Sequence, residues 1–252
     1  MPKPLKFLAF DTSTDQLSVA LTDGVRVWQH SGPGGALAST TLIPAILALL
    51  AESGLALGDL EAIAFGRGPG SFTGLRTACA VAQGLAFGAN RGAGIAVLPV
   101  DTLLAVAEEA RFQRADAGAP VTVTALLDAR MSEMYVQTYA FDDGQWRACN
   151  GCALIRPEDL APESATGLLA GNVFGVYADR LPAGLAALEH TDALPTASAM
   201  LRLAPALAAA GQCVAAALAL PLYVRDKVAL TTDERAQVKA QAALDAGLST
   251  AA

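Results

Sequence analysis

Three short stretches of this sequence have the residue types and spacing of phosphate-binding loops. GRGPGSFTGLR, from Gly66 to Arg76, joins an apolar segment to a helix of small residues. Such glycine loops hold phosphate through backbone N–H groups and the N-terminus of the helix. Two further apolar runs end in an acidic residue and a turn, FDTST at Asp11 and LDARM at Asp128. The chemistry to test first is therefore nucleotide or phosphate binding.

The glycine loop lacks parts of both common phosphate motifs. A Walker A loop needs a lysine after its last glycine, and this stretch has none. A dinucleotide fingerprint needs glycine at its sixth place, where Ser71 stands. Anion binding at the helix N-terminus stays open.

The elements around these loops form two similar series. Short alternating runs separated by turns predict antiparallel strands, and apolar residues at helical spacing predict helices. In the first half we predict strands at 5–11, 17–22, 25–30, 62–65 and 95–98, and helices around 42–50, 71–87 and 102–111. In the second half we predict strands at 121–128, 134–141, 146–154, 167–170 and 185–188, and helices at 157–160, 173–180 and 198–210.

This duplication predicts the fold. Two copies of βββαβα, each with an aspartate ending its first strand, are typical of the two-lobed α/β architecture of actin, Hsp70 and sugar kinases (ASKHA, RNase H-like). We predict a first lobe at 1–112, a second lobe at 113–211 and a partly flexible tail at 231–252. A segment at about 212–230 could pack back on the first lobe.

In that architecture each lobe offers a hairpin of the form D-x-G-T to the nucleotide phosphates. Here the first hairpin reads Asp11, Thr12, Ser13, Thr14, and the second reads Asp128, Ala129, Arg130, Met131. Ser13 and Arg130 thus replace the glycines that let backbone N–H groups approach a phosphate. At the third place, expected to contact adenine, Gly171 is followed by Asn172. We therefore expect no nucleotide cofactor and no catalytic residue.

Composition limits the classes of partner. The chain has 252 residues, 53% of them hydrophobic and 16% charged, and its net charge is −7. An acidic surface disfavours direct binding of nucleic acid, whose affinity depends on neutralised phosphates. We see no signal peptide and no run of eighteen apolar residues, so we predict a cytoplasmic protein that does not bind a membrane.

The four cysteines give little support for metal or redox chemistry. Cys149 and Cys152 form a C-x-x-C, CNGC, which we place in a hairpin with Asn-Gly at its turn. A zinc site needs further ligands, and His30 and His190 are far apart in sequence. We expect no metal site and interpret Cys149 and Cys152 as reduced residues that flank a turn.

The helix after the glycine loop carries small residues at four-residue spacing. Such a stripe lets another helix approach closely. It is explained either by burial inside the lobe or by a partner surface shared with the helix at 42–50. For the second explanation the predicted interface residues are Leu42, Ile46, Leu49, Gly74, Thr77, Ala78, Val81 and Ala82.

Five stretches together resemble the bacterial TsaB (YeaZ) family. They are FLAFDTSTDQLSVAL, IAFGRGPGSFTGLRTACAVAQGLAFG, PVDTLLAVA, LLDARMSEMYV and LPLYVRDKVA. The glycine motif is shared with the paralogue TsaD, whose H-x-x-x-H metal motif is missing here. Many family members have a histidine where Ala38 stands, which puts any contact made by that histidine in doubt.

The resemblance implies a role in making threonylcarbamoyladenosine in tRNA, at the adenosine 3′ of the anticodon. In the family, TsaC makes threonylcarbamoyl-AMP, TsaD transfers the threonylcarbamoyl group and TsaE supplies ATPase activity. TsaB is a noncatalytic partner that binds TsaD through its first lobe, or a second copy of itself through the same surface. tRNA would then be bound only through the complex. The alternatives are a stand-alone kinase or ATPase, which needs working phosphate loops, and a metallopeptidase, which needs metal ligands.

Overall fold

A computed structural model describes residues 4–114, 116–161 and 167–225. Its first lobe is a five-stranded mixed sheet in the order β3-β2-β1-β4-β5, with β1 antiparallel to β2 and parallel to β4. The elements of this lobe are β1 (Phe7–Asp11), β2 (Gln16–Thr22), β3 (Val27–Pro33), α1 (Ala38–Ser53), β4 (Ala62–Gly68), α2 (Phe72–Gly88), β5 (Ala96–Asp101) and α3 (Thr102–Gln113).

The second lobe repeats this topology with a six-stranded sheet. The strand order is β11-β10-β6-β7-β8, and β9 also pairs with β7. Its elements are β6 (Val121–Arg130), β7 (Glu133–Asp142), β8 (Gln145–Ala148), β9 (Ala153–Ile155), β10 (Leu168–Gly171), β11 (His190–Asp192) and α4 (Ala197–Ala209). The predicted two-lobed α/β fold is therefore confirmed.

The core follows from the alternation of side chains along the strands. β1 is buried at all five positions, as expected for a central strand covered on both faces. Leu8 and Phe10 pack with α1 and α2 on one face, and Phe7 and Ala9 join a cluster with α3 and α4 on the other.

The last helix of each half of the chain packs on the sheet of the other half. α3 follows the first sheet in sequence but packs extensively on β6 of the second, and α4 follows the second sheet but packs on β1 and β2 of the first. The two helices also pack on each other. One cluster of buried residues therefore runs from the first sheet through both helices to the second sheet.

Three predicted elements of the second half are wrong. Residues 173–180 form turns instead of a helix, and residues 185–188 lie at a short 3-10 helix, Ala183–Ala187, with the strand following at β11. The CNGC stretch is not a hairpin turn, because β8 and β9 both run antiparallel to β7. It is a bulged loop along one edge, held where the Thr138 N–H donates to Asn150 Oδ1 at 2.8 Å.

The chain returns to the first lobe after α4. Val214 pairs with Val97 of β5, and the Leu222 N–H donates to the Arg67 carbonyl oxygen of β4 at 2.6 Å. We call residues 212–225 the strap. The remainder of the predicted returning segment, 226–230, and the predicted tail, 231–252, lie outside the described residues.

Candidate functional site: the cleft between the lobes

A cavity of about 540 Å³ lies where the two hairpins face each other. Both β-hairpins, the start of α2, Asn172 and the end of the strap line it. The topology places these groups together because β1 and β6 occupy equivalent central positions in the two sheets, and each ends at the cleft. The two hairpins and Asn172, which follows Gly171, therefore line one cleft together with the start of α2.

The first hairpin packs directly on the glycine loop. The Ser71 N–H donates to the Ser13 carbonyl oxygen at 2.8 Å, and the Thr12 hydroxyl donates to the Gly74 carbonyl oxygen at 2.7 Å. A Cβ on Gly74 would overlap the Thr12 carbonyl oxygen, and one on Gly70 would overlap Ser13. These glycines are therefore required by close backbone packing, since the hairpin already occupies the space beside the loop.

Asp11 does not reach the cleft. Its side chain is fully buried, and Oδ1 accepts hydrogen bonds from the Ser13 N–H at 2.8 Å and the Ser13 hydroxyl at 2.7 Å. Its Oδ2 is buried beside Gly66 and the Met200 methyl group and has no hydrogen-bond partner among the described residues. Burial raises the pKa of Asp11 to about 7, although the two Ser13 hydrogen bonds oppose this. The carboxylate therefore serves as a turn acceptor rather than as a group that faces a ligand.

The second hairpin keeps a glycine-like backbone without glycine. Arg130, Met131 and Ser132 have φ values of 61°, 54° and 63°, in the left-handed region. Residues other than glycine rarely adopt this backbone conformation, and three such residues in succession store backbone strain. At the place where the nucleotide-binding pattern has glycine, Arg130 brings a long cationic side chain into the cleft.

The charges at this hairpin are paired within the protein. The Arg130 guanidinium forms ion pairs with Asp15 of the first lobe and with Asp128, the latter at 3.4 Å. The Tyr177 hydroxyl donates to Asp128 Oδ1 at 2.6 Å, and burial followed by this hydrogen bond raises the pKa of Tyr177 to about 12. Asn172 Oδ1 accepts the Asp128 N–H at 2.9 Å. Groups that would meet phosphate or adenine in a nucleotide-binding relative are here engaged with one another.

The predicted interface residues are mostly internal. Leu42, Ile46, Leu49, Gly74, Ala78 and Ala82 are buried against the first sheet, while Thr77 and Val81 are half-buried. This corrects the expectation that the stripe itself is a surface, because α1 and α2 cover the sheet with it. Exposed apolar residues lie on the opposite side of α1 at Ile43 and Leu47, just before it at Leu37, and on α2 at Phe72, Ala80 and Phe87.

The remaining candidates show no assembled site. Among the described residues, no group of three or more His, Cys, Asp or Glu side chains is placed to hold a metal. Cys149 is exposed and Cys152 is half-buried, where desolvation followed by the Asp101 charge raises the Cys152 pKa to about 11. By length and composition, one segment of the described chain, Gly35–Ser53, could cross a membrane, and its Leu42, Ile46 and Leu49 are core residues here.

Sequence reasoning missed several residues at the cleft or bonded to its lining, among them Tyr177 and Arg225. Tyr177 lies in the segment predicted as a helix, where nothing indicated a bond to Asp128. Arg225 belongs to LPLYVRDKVA, within the segment at about 212–230 that the sequence suggested could pack on the first lobe. Neither periodicity nor a motif indicated that this segment reaches the cleft and contacts the second lobe.

Comparisons with known proteins agree with this geometry. The family model described as "TsaD: tRNA N6-adenosine threonylcarbamoyltransferase" matches residues 37–232. The tRNA threonylcarbamoyladenosine biosynthesis protein TsaB of Escherichia coli is 34% identical over 89% of this chain and 96% of its own length. TsaB of Haemophilus influenzae is 36% identical over 89% of this chain and 95% of its own. The solved structure of YeaZ from Pseudomonas aeruginosa is 38% identical, covers 87% of this chain and 99% of its own, and superposes with a TM-score of 0.76.

Proposed function

Because this chain belongs to the TsaB family, within the wider family that the threonylcarbamoyltransferase model describes, we propose that it is a noncatalytic partner subunit in threonylcarbamoyladenosine synthesis. It acts with a TsaD-type transferase on the adenosine 3′ of the anticodon, in a complex that includes TsaE. The observation that carries this proposal is the match to named TsaB proteins over nearly their whole length. The internally paired cleft supports a binding role over a kinase or ATPase role.

The partner surface that we propose is the exposed side of α1 and α2. Leu47 is 53% exposed and Ile43 is 43% exposed, side by side on α1 at four-residue spacing. Ala80 and Gly84 form a smooth, exposed strip on α2. Side chains from a partner helix could fill the groove between the two helices. The buried stripe contributes indirectly by holding α1 and α2 against the sheet.

The experiment is co-purification with the cognate TsaD, followed by variants of this surface. Leu47→Glu and Ala80→Glu should abolish TsaD binding without changing thermal unfolding, because a carboxylate buried in a helix seam is costly. Val25→Glu is the matched control, since Val25 is an exposed apolar residue in the β2–β3 turn. A wild-type chain that fails to co-purify with TsaD contradicts the function. Two folded surface variants that still bind contradict only the surface.

The same surface serves self-association when TsaD is absent. The Leu47→Glu variant should therefore be smaller than the wild-type chain in solution, as measured by light scattering. Since the chain carries a net charge of −7, tRNA is bound through the complex and not by this subunit alone. We place the protein in the cytoplasm, where tRNA is modified.

A further inference from the structure

The strap lies along α2 and β4 of the first lobe. The Ala219 carbonyl oxygen accepts hydrogen bonds from the Cys79 thiol at 3.2 Å and from Gln83 Nε2 at 2.8 Å. Farther along, Arg76 Nε donates to the Tyr223 hydroxyl at 3.0 Å, and the Tyr223 and Phe72 rings lie 5.3 Å apart. The strap is therefore fixed to the first lobe at several points before it reaches the cleft.

The strap then crosses to the second lobe at Arg225. Its guanidinium forms an ion pair with Glu133 at 2.6 Å, and Nη2 also donates to the Arg130 carbonyl oxygen at 3.3 Å. Nη1 lies 3.2 Å from the Met131 sulfur. These contacts surround the β6–β7 turn formed by Arg130, Met131 and Ser132. All three turn residues have positive φ, so each would relax if the surroundings did not determine its conformation.

We infer that the strap is an interlobe clamp, in which Arg225 holds the strained β6–β7 turn and thereby fixes the position of the side chains that line the cleft. Leu222, Tyr223, Val224 and Arg225 line the cavity together with Arg130 and Met131 of the turn. The clamp goes beyond the proposed partner role, because it concerns the state of the cleft in this chain alone. It accounts for three successive residues other than glycine that hold positive φ in one turn.

One hydrogen-bond donor of the clamp, Arg225 Nε, is buried and has no partner among the described residues. A buried unpaired donor lowers the free energy needed to break the contact, since water would satisfy it on release. The strain in the turn acts in the same direction. The strap is therefore poised to open, and its release would remove the Arg225 contact to the Arg130 carbonyl oxygen, let the turn relax and widen the cleft.

The test compares two clamp variants with a matched control by NMR and hydrogen exchange. Arg225→Ala removes the whole contact, and Glu133→Gln removes only the charge of its partner. Glu158→Gln is the control, because Glu158 forms an ion pair with Arg180, at 2.7 Å, in which neither residue belongs to the turn or the strap. The chain has four methionines, so the Met131 methyl signal can be assigned and followed.

In Arg225→Ala we expect the Met131 methyl signal to move toward its mobile, random-coil position and the amides of residues 130–133 to exchange at least tenfold faster. Glu133→Gln should shift both readouts in the same direction by a smaller amount, and Glu158→Gln should leave them within twofold of wild type. Glu133→Gln keeps the test decisive if Arg225→Ala does not fold. A folded clamp variant with an unchanged Met131 signal and unchanged exchange overturns the proposal, as does an equal change in Glu158→Gln.

Discussion

Asp11 shows how a single residue can keep its place while its chemistry changes. Asp11 ends β1 at the position from which an aspartate would face phosphate, but here its side chain is buried beside Gly66 and Met200. One oxygen receives both Ser13 donors and the other receives none among the described residues. Because burial disfavours the ionised form, the folded protein binds a proton at this residue at a pH where the unfolded chain does not.

This predicts a pH dependence of stability that Asp11→Asn removes. The folded pKa is about 7 and the ordinary value is 3.8, so the wild-type free energy of unfolding should fall, relative to the variant, as pH rises from about 4 to about 7. The total relative loss is at most about 4 kcal/mol, at about 1.4 kcal/mol per pH unit. Urea unfolding of both proteins at several pH values measures it.

Asp142→Asn serves as the control, because Asp142 is exposed at the end of β7. Its stability difference from wild type should not show the slope expected for Asp11→Asn. Parallel stability curves for wild type and Asp11→Asn between pH 4 and pH 7 would show that Asp11 is ionised throughout in the folded protein.

At the residue scale, the sequence predicts which groups have been replaced but not what the replacements do. Ser13 and Arg130 stand at glycine places in the two hairpins, and this is visible without a structure. That Arg130 adopts the left-handed backbone and pairs with Asp15 depends on contacts between the two lobes. Such contacts join residues over a hundred positions apart, and no local pattern encodes them.

At the scale of elements, α2 shows why its glycines are not equivalent. Gly74 is in the first turn, where a Cβ would overlap the Thr12 carbonyl oxygen, whereas Gly84 has no atom within 4 Å of such a Cβ. Gly74→Ala should destabilise the protein by about 1–3 kcal/mol through overpacking of the hairpin. Gly84→Ala in the same helix should stabilise it by about 0.5–1 kcal/mol, because alanine restricts the unfolded chain and favours helix. Thermal unfolding of the two variants measures the difference.

If Gly74→Ala proves as stable as Gly84→Ala, close packing of the loop on the hairpin is not the reason why position 74 is glycine. Loss of helicity in Gly84→Ala would contradict the assignment of this residue to an open helix face. Circular dichroism at 222 nm distinguishes that case.

Helical periodicity predicts the first-lobe helices well and fails in the second lobe for a physical reason. In the segment 173–180, Val173 and Tyr177 have helical spacing, and the Tyr177 N–H does donate to the Val173 carbonyl oxygen at 2.8 Å. The turn does not propagate, and Gly175, a poor helix former, lies inside it. A single stabilised turn has the same pattern as the start of a helix. Likewise, the α2 stripe predicts a buried face, but the pattern alone does not say whether the sheet or a partner covers it.

At the scale of the whole molecule, one buried carboxylate joins both lobes. Glu108 of α3 accepts hydrogen bonds from Trp146 of the second sheet at 2.9 Å and from Arg202 of α4 at 2.8 Å, as well as from Arg111. Burial alone would raise its pKa, but these hydrogen bonds together lower it below its ordinary value. Glu108 therefore remains ionised and fixes how α3, α4 and β8 meet.

Glu108→Ala should lower the free energy of unfolding by about 2–4 kcal/mol, since it leaves Arg111 and the Trp146 N–H without their buried acceptor, whereas Arg202 keeps Glu109. Glu52→Ala, at an exposed position on α1, should change it by less than about 0.5 kcal/mol. Denaturant unfolding of both variants gives the comparison. A Glu108→Ala variant as stable as Glu52→Ala would mean that packing of the helices alone orients the lobes.

The closed charge network of the cleft predicts weak nucleotide binding. Isothermal titration with Mg-ATP should show a Kd no tighter than about 100 μM, or about −5 to −6 kcal/mol. The reason is that a phosphate would have to displace Arg130 from Asp15 and Asp128 and then meet those carboxylates itself. A micromolar Kd would favour the kinase or ATPase alternative.

The exchange of α3 and α4 between the sheets has a consequence for how the chain is made. On the ribosome, the first sheet is complete in sequence by residue 101, but the helix that covers one of its faces ends at residue 209. Until then an apolar face with Phe7, Ala9 and Ala20 has no permanent cover. Folding of the two halves is therefore coupled late in translation, and the full chain should melt in a single calorimetric transition, with equal van't Hoff and calorimetric enthalpies.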